Sequence, residues 1–226
     1  MLRYARNMQM LTAEENTRLK DFKVCVIGCG GLGGYVIEML GRLGIGYITA
    51  VDGDVFEESN LNRQILSDAE SLGMSKAFAA KERMAKVNPL ITLNPVRARF
   101  DSVNGCQIIG GHDVVIDALD NLESRLLLED LSEDAGIPLV HGAIAGWFGQ
   151  VTTILPGDRT LKKLYPEGIN HGIEKELGNP SFTPALVASI QVSEVLKLLI
   201  KRGSVLSGRL LMINLLEQQF EIIDLV

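Results

Sequence analysis

The chain has 226 residues, 46% hydrophobic and 22% charged, with a formal net charge of −6. A chain of this length buries roughly 70% of its unfolded surface, so it needs no staples, and Cys25, Cys29 and Cys106 form no even framework; a reducing, cytoplasmic compartment fits that usage. The acidic balance without a basic cluster argues against nucleic acid as the main partner, no run reads as apolar enough to span a membrane, and no apolar leader is expected at the N-terminus.

Arg3 and Arg6 flank Tyr4 in an N-terminal arm, of a kind that usually frays. Thr12 and Glu15 then form a T-x-x-E capping box that predicts a short helix over Ala13 to Lys20. Lys23 to Gly34 reads KVCVIGCGGLGG: Val24 to Ile27 is a short apolar run suited to a strand buried on both faces, and Gly28, Gly30 and Gly33 fit G-x-G-x-x-G ahead of a helical pattern. In this pattern Gly28 allows the tight turn, Gly30 lets the backbone approach a phosphate, and Gly33 lets helix and strand pack closely. Leu32, Val36, Leu40 and Leu43 carry the helix, which Gly44 and Gly46 stop, and Tyr47 to Val51 is a second strand ending at Asp52.

Residues 53–72 are polar and loop-like, with a short helix expected at Leu61 to Leu66 and a longer one over Gly73 to Val87. Ile91 to Ala98 reads as a third strand, placed at an edge or a bulge by Pro95. Asp113 to Ala118 is a fourth strand, Leu122 to Ala135 a helix, and Leu139 to His141 a fifth strand. This alternation implies an α/β fold: a Rossmann-like, mostly parallel sheet with helices on both faces. Gly149 to Leu155 is a further strand, and 156–183 is a long aperiodic segment of the kind that is functional or disordered. Pro184 opens a helix striped by Val192, Val195, Leu196 and Leu199, and Arg209 to Asn214 with Gln219 to Asp224 form an antiparallel hairpin extending the sheet.

Asp52 follows Gly28 at the separation where a nucleotide fold places the carboxylate that takes ribose hydroxyls. Around it lie Asp54, Asn60, Arg63, Gln64 and Lys76, and Asp120-Asn121 ends the fourth strand. Carboxyl ends of strands form the crevice of an open α/β sheet, so Asp52 and Asp120 can converge there with Gly30 and Gly31. Asp120 suits Mg²⁺ on phosphates, since this hard cation takes one carboxylate plus phosphate oxygens. Arg63 and Lys76 neutralise a polyphosphate, and Asn60 and Gln64 orient it. That cationic pair suits a triphosphate, where charge builds on a leaving pyrophosphate, better than NAD. Each residue also has a plainer reading: a solvated charge, a helix cap at Asp120, or a turn residue at Asn60. An NAD oxidoreductase and a non-catalytic scaffold of the same fold are the competing classes.

The segments GCGGLGG, AVDGDVFEESNLNRQ, GMSKAFAAKERMAKVNP and DALDN resemble the ThiF/MoeB/HesA family of bacterial adenylyltransferases related to ubiquitin-activating enzyme. Asp52, Asp54, Val55, Ser59, Asn60, Arg63 and Gln64 match its D-x-D-x-V-x-x-S-N-x-x-R-Q block, and RYARNM is similar to its arginine arm, with Asn7 where glutamine is usual. The resemblance implies one adenylation domain: an arm and helix (1–22), a nucleotide-binding core (23–155), a crossover loop (156–183), and a C-terminal helix and hairpin (184–226). It implies Mg·ATP as the nucleotide and, as substrate, the C-terminal carboxylate of a small ubiquitin-like sulfur carrier ending in Gly-Gly, in molybdopterin- or thiamine-type cofactor biosynthesis. A peptide or tRNA-base carboxylate is the near alternative. It also implies a homodimer in which Arg6 reaches the partner's ATP, with Arg63, Lys76 and Asp120 as the other catalytic groups.

Two departures stand out. The chain lacks the paired C-x-x-C motifs of relatives that carry structural zinc, so no zinc is expected. It also has no cysteine between Pro156 and Pro184, where sulfur-handling relatives carry one, so a separate sulfur donor is expected. Cys29 reads as a packing residue, and His141 and His171 as structural or solvated.

Overall fold

The computed structural model describes residues 2–165 and 177–225; His171 and much of the expected crossover loop lie outside the described residues. The strands are β1 (Lys23–Ile27), β2 (Tyr47–Val51), β3 (Thr92–Val96), β4 (Val114–Asp117), β5 (Leu139–Ala145), β6 (Phe148–Ile154), β7 (Arg209–Asn214) and β8 (Gln219–Asp224). The helices are α1 (Ala13–Arg18), α2 (Gly31–Leu43), α3 (Lys76–Val87), α4 (Gly105–Ile109), α5 (Leu122–Ala135), α6 (Thr160–Leu164) and α7 (Phe182–Ile200). All strands join one sheet in the order β3-β2-β1-β4-β5-β6-β7-β8. β3, β2, β1, β4 and β5 run parallel, and the pairings from β5 through β8 are antiparallel. The mostly parallel sheet, its helices and the antiparallel C-terminal extension agree with the sequence reading.

Strand β1 shows why the sheet is covered on both faces. Val24 and Val26 point into a core built with Val36 of α2, Ala80 of α3 and Val195 of α7. Cys25 and Ile27 point the other way, into a core with Ile109 of α4, Leu128 of α5 and Leu161 of α6. Successive side chains of a strand alternate faces, so a continuous apolar run serves two helical layers. Pro95 sits in β3, at the sheet edge, where a missing N–H costs no ladder bond.

Several boundaries differ from expectation. Leu61 to Leu66 forms turns, preceded by a 3₁₀ turn over Glu58–Asn60, because the Asn60 Oδ1 accepts the Glu57 N–H at 3.1 Å and caps that turn instead. Helix α3 begins at Lys76 rather than Gly73, since Gly73 has φ +79° and Ser75 bridges to Val55. β5 runs on to Ala145 and returns through Gly146-Trp147 as a hairpin with β6, a two-residue link with Gly146 at φ +54°. Helix α6 lies inside the stretch expected to be aperiodic; Glu129 of α5 accepts the backbone N–H groups of Leu161 and Lys162 at 2.6 and 3.2 Å and fixes it. Helix α7, by contrast with the reading that no run could span a membrane, is long and apolar enough to do so by length and composition. Here it packs on the sheet, burying Val187, Val195 and also Gln191 and Glu194.

Candidate active site

Chain order along the sheet reverses between β1 and β4: β2 and β3 lie to one side of β1, β4 and β5 to the other. A crevice opens at such a switch point, above the strand carboxyl ends. A cavity of about 510 Å³ lies there, lined by Gly28, Gly30, Gly31, Asp52, Asp54, Arg63, Gln64, Lys76 and Asp120 among others. Nine of the residues singled out from the sequence therefore meet in one place.

The floor is the β1–α2 turn. Gly28 has φ +101°, and a Cβ there would lie 2.4 Å from the Ala118 carbonyl oxygen; a Cβ on Gly33 would lie 1.8 Å from the Gly28 carbonyl. These contacts force glycine at both positions and bring the first turn of α2 against β1. Gly30 is the N-cap of α2 and offers no side-chain acceptor, so the helix N-terminus opens on the cavity. Such an end attracts anions through its unpaired N–H groups and the helix dipole. The aliphatic part of Arg63 covers Gly31, at 3.7 Å from a Cβ placed there.

Asp52 follows β2. Its Oδ2 accepts the Cys29 N–H and its Oδ1 the Asp54 N–H, each at 2.8 Å. Two backbone donors fix the carboxylate while each oxygen keeps acceptor capacity toward the cavity. Lys76 opens α3, is buried to 9% exposure, and stands 4.0 Å from Asp54. Arg63 NH1 donates to the Ser59 carbonyl at 3.0 Å and to Asn62 Oδ1 at 2.8 Å, which aims the side chain. Gln64 is buried, and its Oε1 has no hydrogen-bond partner among the described residues, which leaves an open acceptor on the cavity wall. Asp120 is exposed, and its carboxylate has no hydrogen bond or ion pair with any described residue. The helix-capping role that its position suggested falls to Asn121, whose Oδ1 accepts the Ser124 N–H at 2.9 Å.

Two of the expected residues lie elsewhere. Asn60 is buried and does not line the cavity; it closes the Glu57 turn, and its carbonyl accepts the N–H groups of Arg63 and Gln64 at 3.1 and 3.0 Å. Arg6 is exposed in a 3₁₀ helix (Leu2–Asn7) and does not line the cavity either. That arm is anchored rather than frayed: Arg3 donates to the Val87 carbonyl at 2.6 Å, Asn88 to the Tyr4 hydroxyl at 2.8 Å, and Asn7 to the Leu43 carbonyl at 3.1 Å. Leu43 is the last residue of α2, so the arm sits about 20 Å along that helix from the cavity end.

The cavity also holds residues that the sequence did not single out: Arg99 and Phe100 after β3, Ser124 and Arg125 of α5, Ile144 of β5, and Asn179. The rule that strand ends line the crevice, applied to β3 as it was to β2 and β4, points to Arg99 and Phe100. Asn179 carries no local signal; its carbonyl accepts from Asn62 at 3.1 Å across a long stretch of chain.

Beneath the cavity lies a buried polar cluster. Asp117 ends β4 with its side chain fully buried, and its Oδ2 accepts the His141 Nδ1–H at 2.6 Å. Burial pushes the His141 imidazole below its ordinary 6.5, against the upward pull of Asp117. With Nδ1 donating, Nε2 accepts from Gln150 at 3.3 Å, and Gln150 in turn donates to the Tyr165 hydroxyl. Cys29 is fully buried, and burial drives its thiol well above the ordinary value, as expected of a packing residue.

A divalent cation fits this site in one way. Among the described residues no group of three or more His, Cys, Asp or Glu side chains is placed to hold a metal alone. The unpartnered Asp120 carboxylate on the cavity suits a hard cation that takes its remaining ligands from phosphate oxygens and water.

The chain is 39% identical over 224 residues to the SAMP-activating enzyme E1 of Haloferax volcanii, covering 97% of this chain and 83% of that protein. It is 34% identical over 227 residues to the molybdopterin-synthase adenylyltransferase of Salmonella typhimurium, covering 97% of this chain and 90% of that protein. The crystal structure of E. coli MccB with ATP superposes with a TM-score of 0.84 at 22% identity, covering 99% of this chain and 71% of that one; at that identity the likeness speaks for the fold. The model described as "ThiF family" matches residues 4–225, and the chain belongs to that family.

Proposed function

We propose that this protein is an adenylyltransferase that uses ATP to activate the C-terminal carboxylate of a small ubiquitin-like sulfur-carrier protein ending in Gly-Gly. The observation that carries this reading is the cavity itself. An anion-binding helix end, Asp52 for the ribose, Arg63 and Lys76 for the phosphates, and an unpartnered Asp120 all face one space of nucleotide size. Relatives named as adenylyltransferases, similar over nearly the whole chain, support the same reaction class.

In the proposed reaction a carrier carboxylate oxygen attacks the α-phosphorus of ATP. The bond to the bridging oxygen breaks, pyrophosphate leaves, and an acyl-adenylate forms. A carboxylate is already ionised at neutral pH, so no general base is required. Catalysis rests on holding the two reactants in line and on offsetting charge on the departing pyrophosphate. Lys76, buried and short of counter-charge, and Arg63, held by Ser59 and Asn62, supply that offset. Mg²⁺ held by Asp120 would further neutralise the phosphates. Sulfur then comes from a separate donor.

Arg6 cannot reach the cavity of its own chain from the far end of α2. A catalytic role for it requires a homodimer in which the anchored arm of one copy presents Arg6 to the other. The test is ATP–pyrophosphate exchange with a Gly-Gly-ended carrier, together with the mass of an added adenylate on the carrier. Exchange without carrier, or none with any carrier, overturns the substrate assignment. Arg6→Ala is expected to leave ATP binding nearly intact and to cut exchange steeply; an arginine supplied in trans is worth about 10³–10⁵ in rate in nucleotide triphosphatases. Unchanged exchange in that variant removes Arg6 from the mechanism.

A further inference from the structure

We propose that His141 is a positioning residue for metal-bound ATP: through Asp117 it sets the loop that presents Asp120 to the cavity. This inference rests on the reading of the cavity as an ATP site with Mg²⁺ at Asp120.

The geometry runs outward from the buried carboxylate. Asp117 Oδ1 accepts the Leu119 N–H at 2.9 Å. Its Oδ2 accepts from His141 at 2.6 Å and lies 3.7 Å from Arg125 Nε. The same Arg125 donates through NH2 to the Leu119 carbonyl at 2.6 Å. The backbone N–H and carbonyl of Leu119 are thus both held, one residue before Asp120, while Asn121 is pinned as the cap of α5. The backbone on each side of Asp120 is fixed, and its side chain faces the cavity without a described partner. Gln191 adds a bond from α7 to the Asp117 carbonyl at 2.9 Å, which locks the strand end beneath the loop.

His141 decides which way the Asp117 carboxylate faces. Among the described residues Arg125 Nε is buried without a hydrogen-bond partner, and Arg125 is the one permanently charged side chain that pairs with that carboxylate. Remove the imidazole donor, and Asp117 gains by turning toward Arg125, since a buried acceptor without a donor is costly. That turn withdraws Oδ1 from the Leu119 N–H, one of the bonds that fix the backbone before Asp120, and loosens the loop there. A direct hydrogen-bond partner of a metal ligand typically governs about 10- to 100-fold in metal affinity; His141 acts further out, through Asp117 and the Leu119 backbone, so the low end of that range applies.

The test is calorimetric titration of ATP into the full-length protein, once in EDTA and once in excess Mg²⁺, with thermal melts to confirm folding. His141→Leu is expected to keep the wild-type ATP affinity in EDTA and to lose about 10-fold of the gain that Mg²⁺ confers. His141→Asn, which keeps an amide donor near the Nδ1 position, is expected to restore most of that gain. His141→Phe keeps a ring beside Tyr165 and serves as the donor-free variant if His141→Leu does not fold. A full Mg²⁺ gain in the donor-free variant overturns the proposal, as does an equal loss of affinity in EDTA and in Mg²⁺, the mark of general damage. Failure of the underlying reading looks different: wild-type protein then binds no ATP, or binds it equally with and without Mg²⁺.

Discussion

At the residue scale the cavity separates groups that hold backbone from groups left open for a ligand. Asp52 is fixed by the Cys29 and Asp54 N–H groups, whereas Asp120 touches no described partner. Lys76 stands only at the edge of ion-pair distance from Asp54, so a buried ammonium is left short of counter-charge. We expect Lys76→Ala to weaken ATP binding about 10- to 100-fold, the range of one charge-assisted hydrogen bond, measured by titration calorimetry. Asn60 belongs to the other group. It matches the family's D-x-D-x-V-x-x-S-N-x-x-R-Q block, yet its side chain closes the Glu57 turn that leads to Arg63. Asn60→Ala is therefore expected to cost about 1 kcal/mol in stability, read from denaturant unfolding, together with weaker ATP binding through a displaced Arg63.

At the element scale, buried carboxylates join helices to their neighbours. Glu38 of α2 is almost fully buried and accepts from Arg83 of α3 at 3.0 Å and from Arg42 at 2.8 Å. Burial alone would push its carboxyl up, but these hydrogen bonds outweigh it and hold the carboxyl below its ordinary 4.5. A carboxyl depressed in the folded state binds its proton more readily when unfolded. Its contribution is present above about pH 4.5 and is lost as pH falls through the lower folded value. Glu38→Gln should therefore flatten the acid limb of the stability curve, followed by circular dichroism between pH 3 and 6. Glu194 of α7 accepts from the Thr153 hydroxyl at 2.6 Å and the Leu206 N–H at 2.7 Å, and pairs with Lys197. Glu194→Leu would strand both donors, and we expect a loss of about 3 kcal/mol in denaturant unfolding. In the β1–α2 turn, Gly33→Ala would drive a Cβ into the Gly28 carbonyl; this variant should fail to accumulate as folded protein.

At the scale of the whole molecule, the arm and the cavity lie at opposite ends of α2. If Arg6 acts in trans, two defective chains should complement each other. Arg6→Ala and Asp120→Asn are each expected to be inactive alone, and exchange should return on mixing, because a mixed dimer holds one site with both residues. No recovery after subunit exchange, verified by native mass measurement, would argue against sharing between copies.

The sequence by itself determined the alternating architecture, because buried strands and amphipathic helices write their periods into the chain. It also determined the glycine turn and nine of the residues that line the cavity, because Gly28, Gly33 and Asp52 do jobs that few other residues can do at their positions. Tertiary structure alone decided the rest. Asn179 and Ile144 reach the cavity only through long-range packing, and no local pattern records such an approach. Asn60 and Asp120 are both polar residues next to a turn; which one is spent on backbone and which stays open depends on whether a neighbour, here Glu57 or Asn121, completes the hydrogen bonding. His141 read as structural or solvated, and its tie to Asp117 exists because β4 and β5 pair in parallel with Asp117 opposite His141. A contact made by strand register is invisible until the strands are aligned.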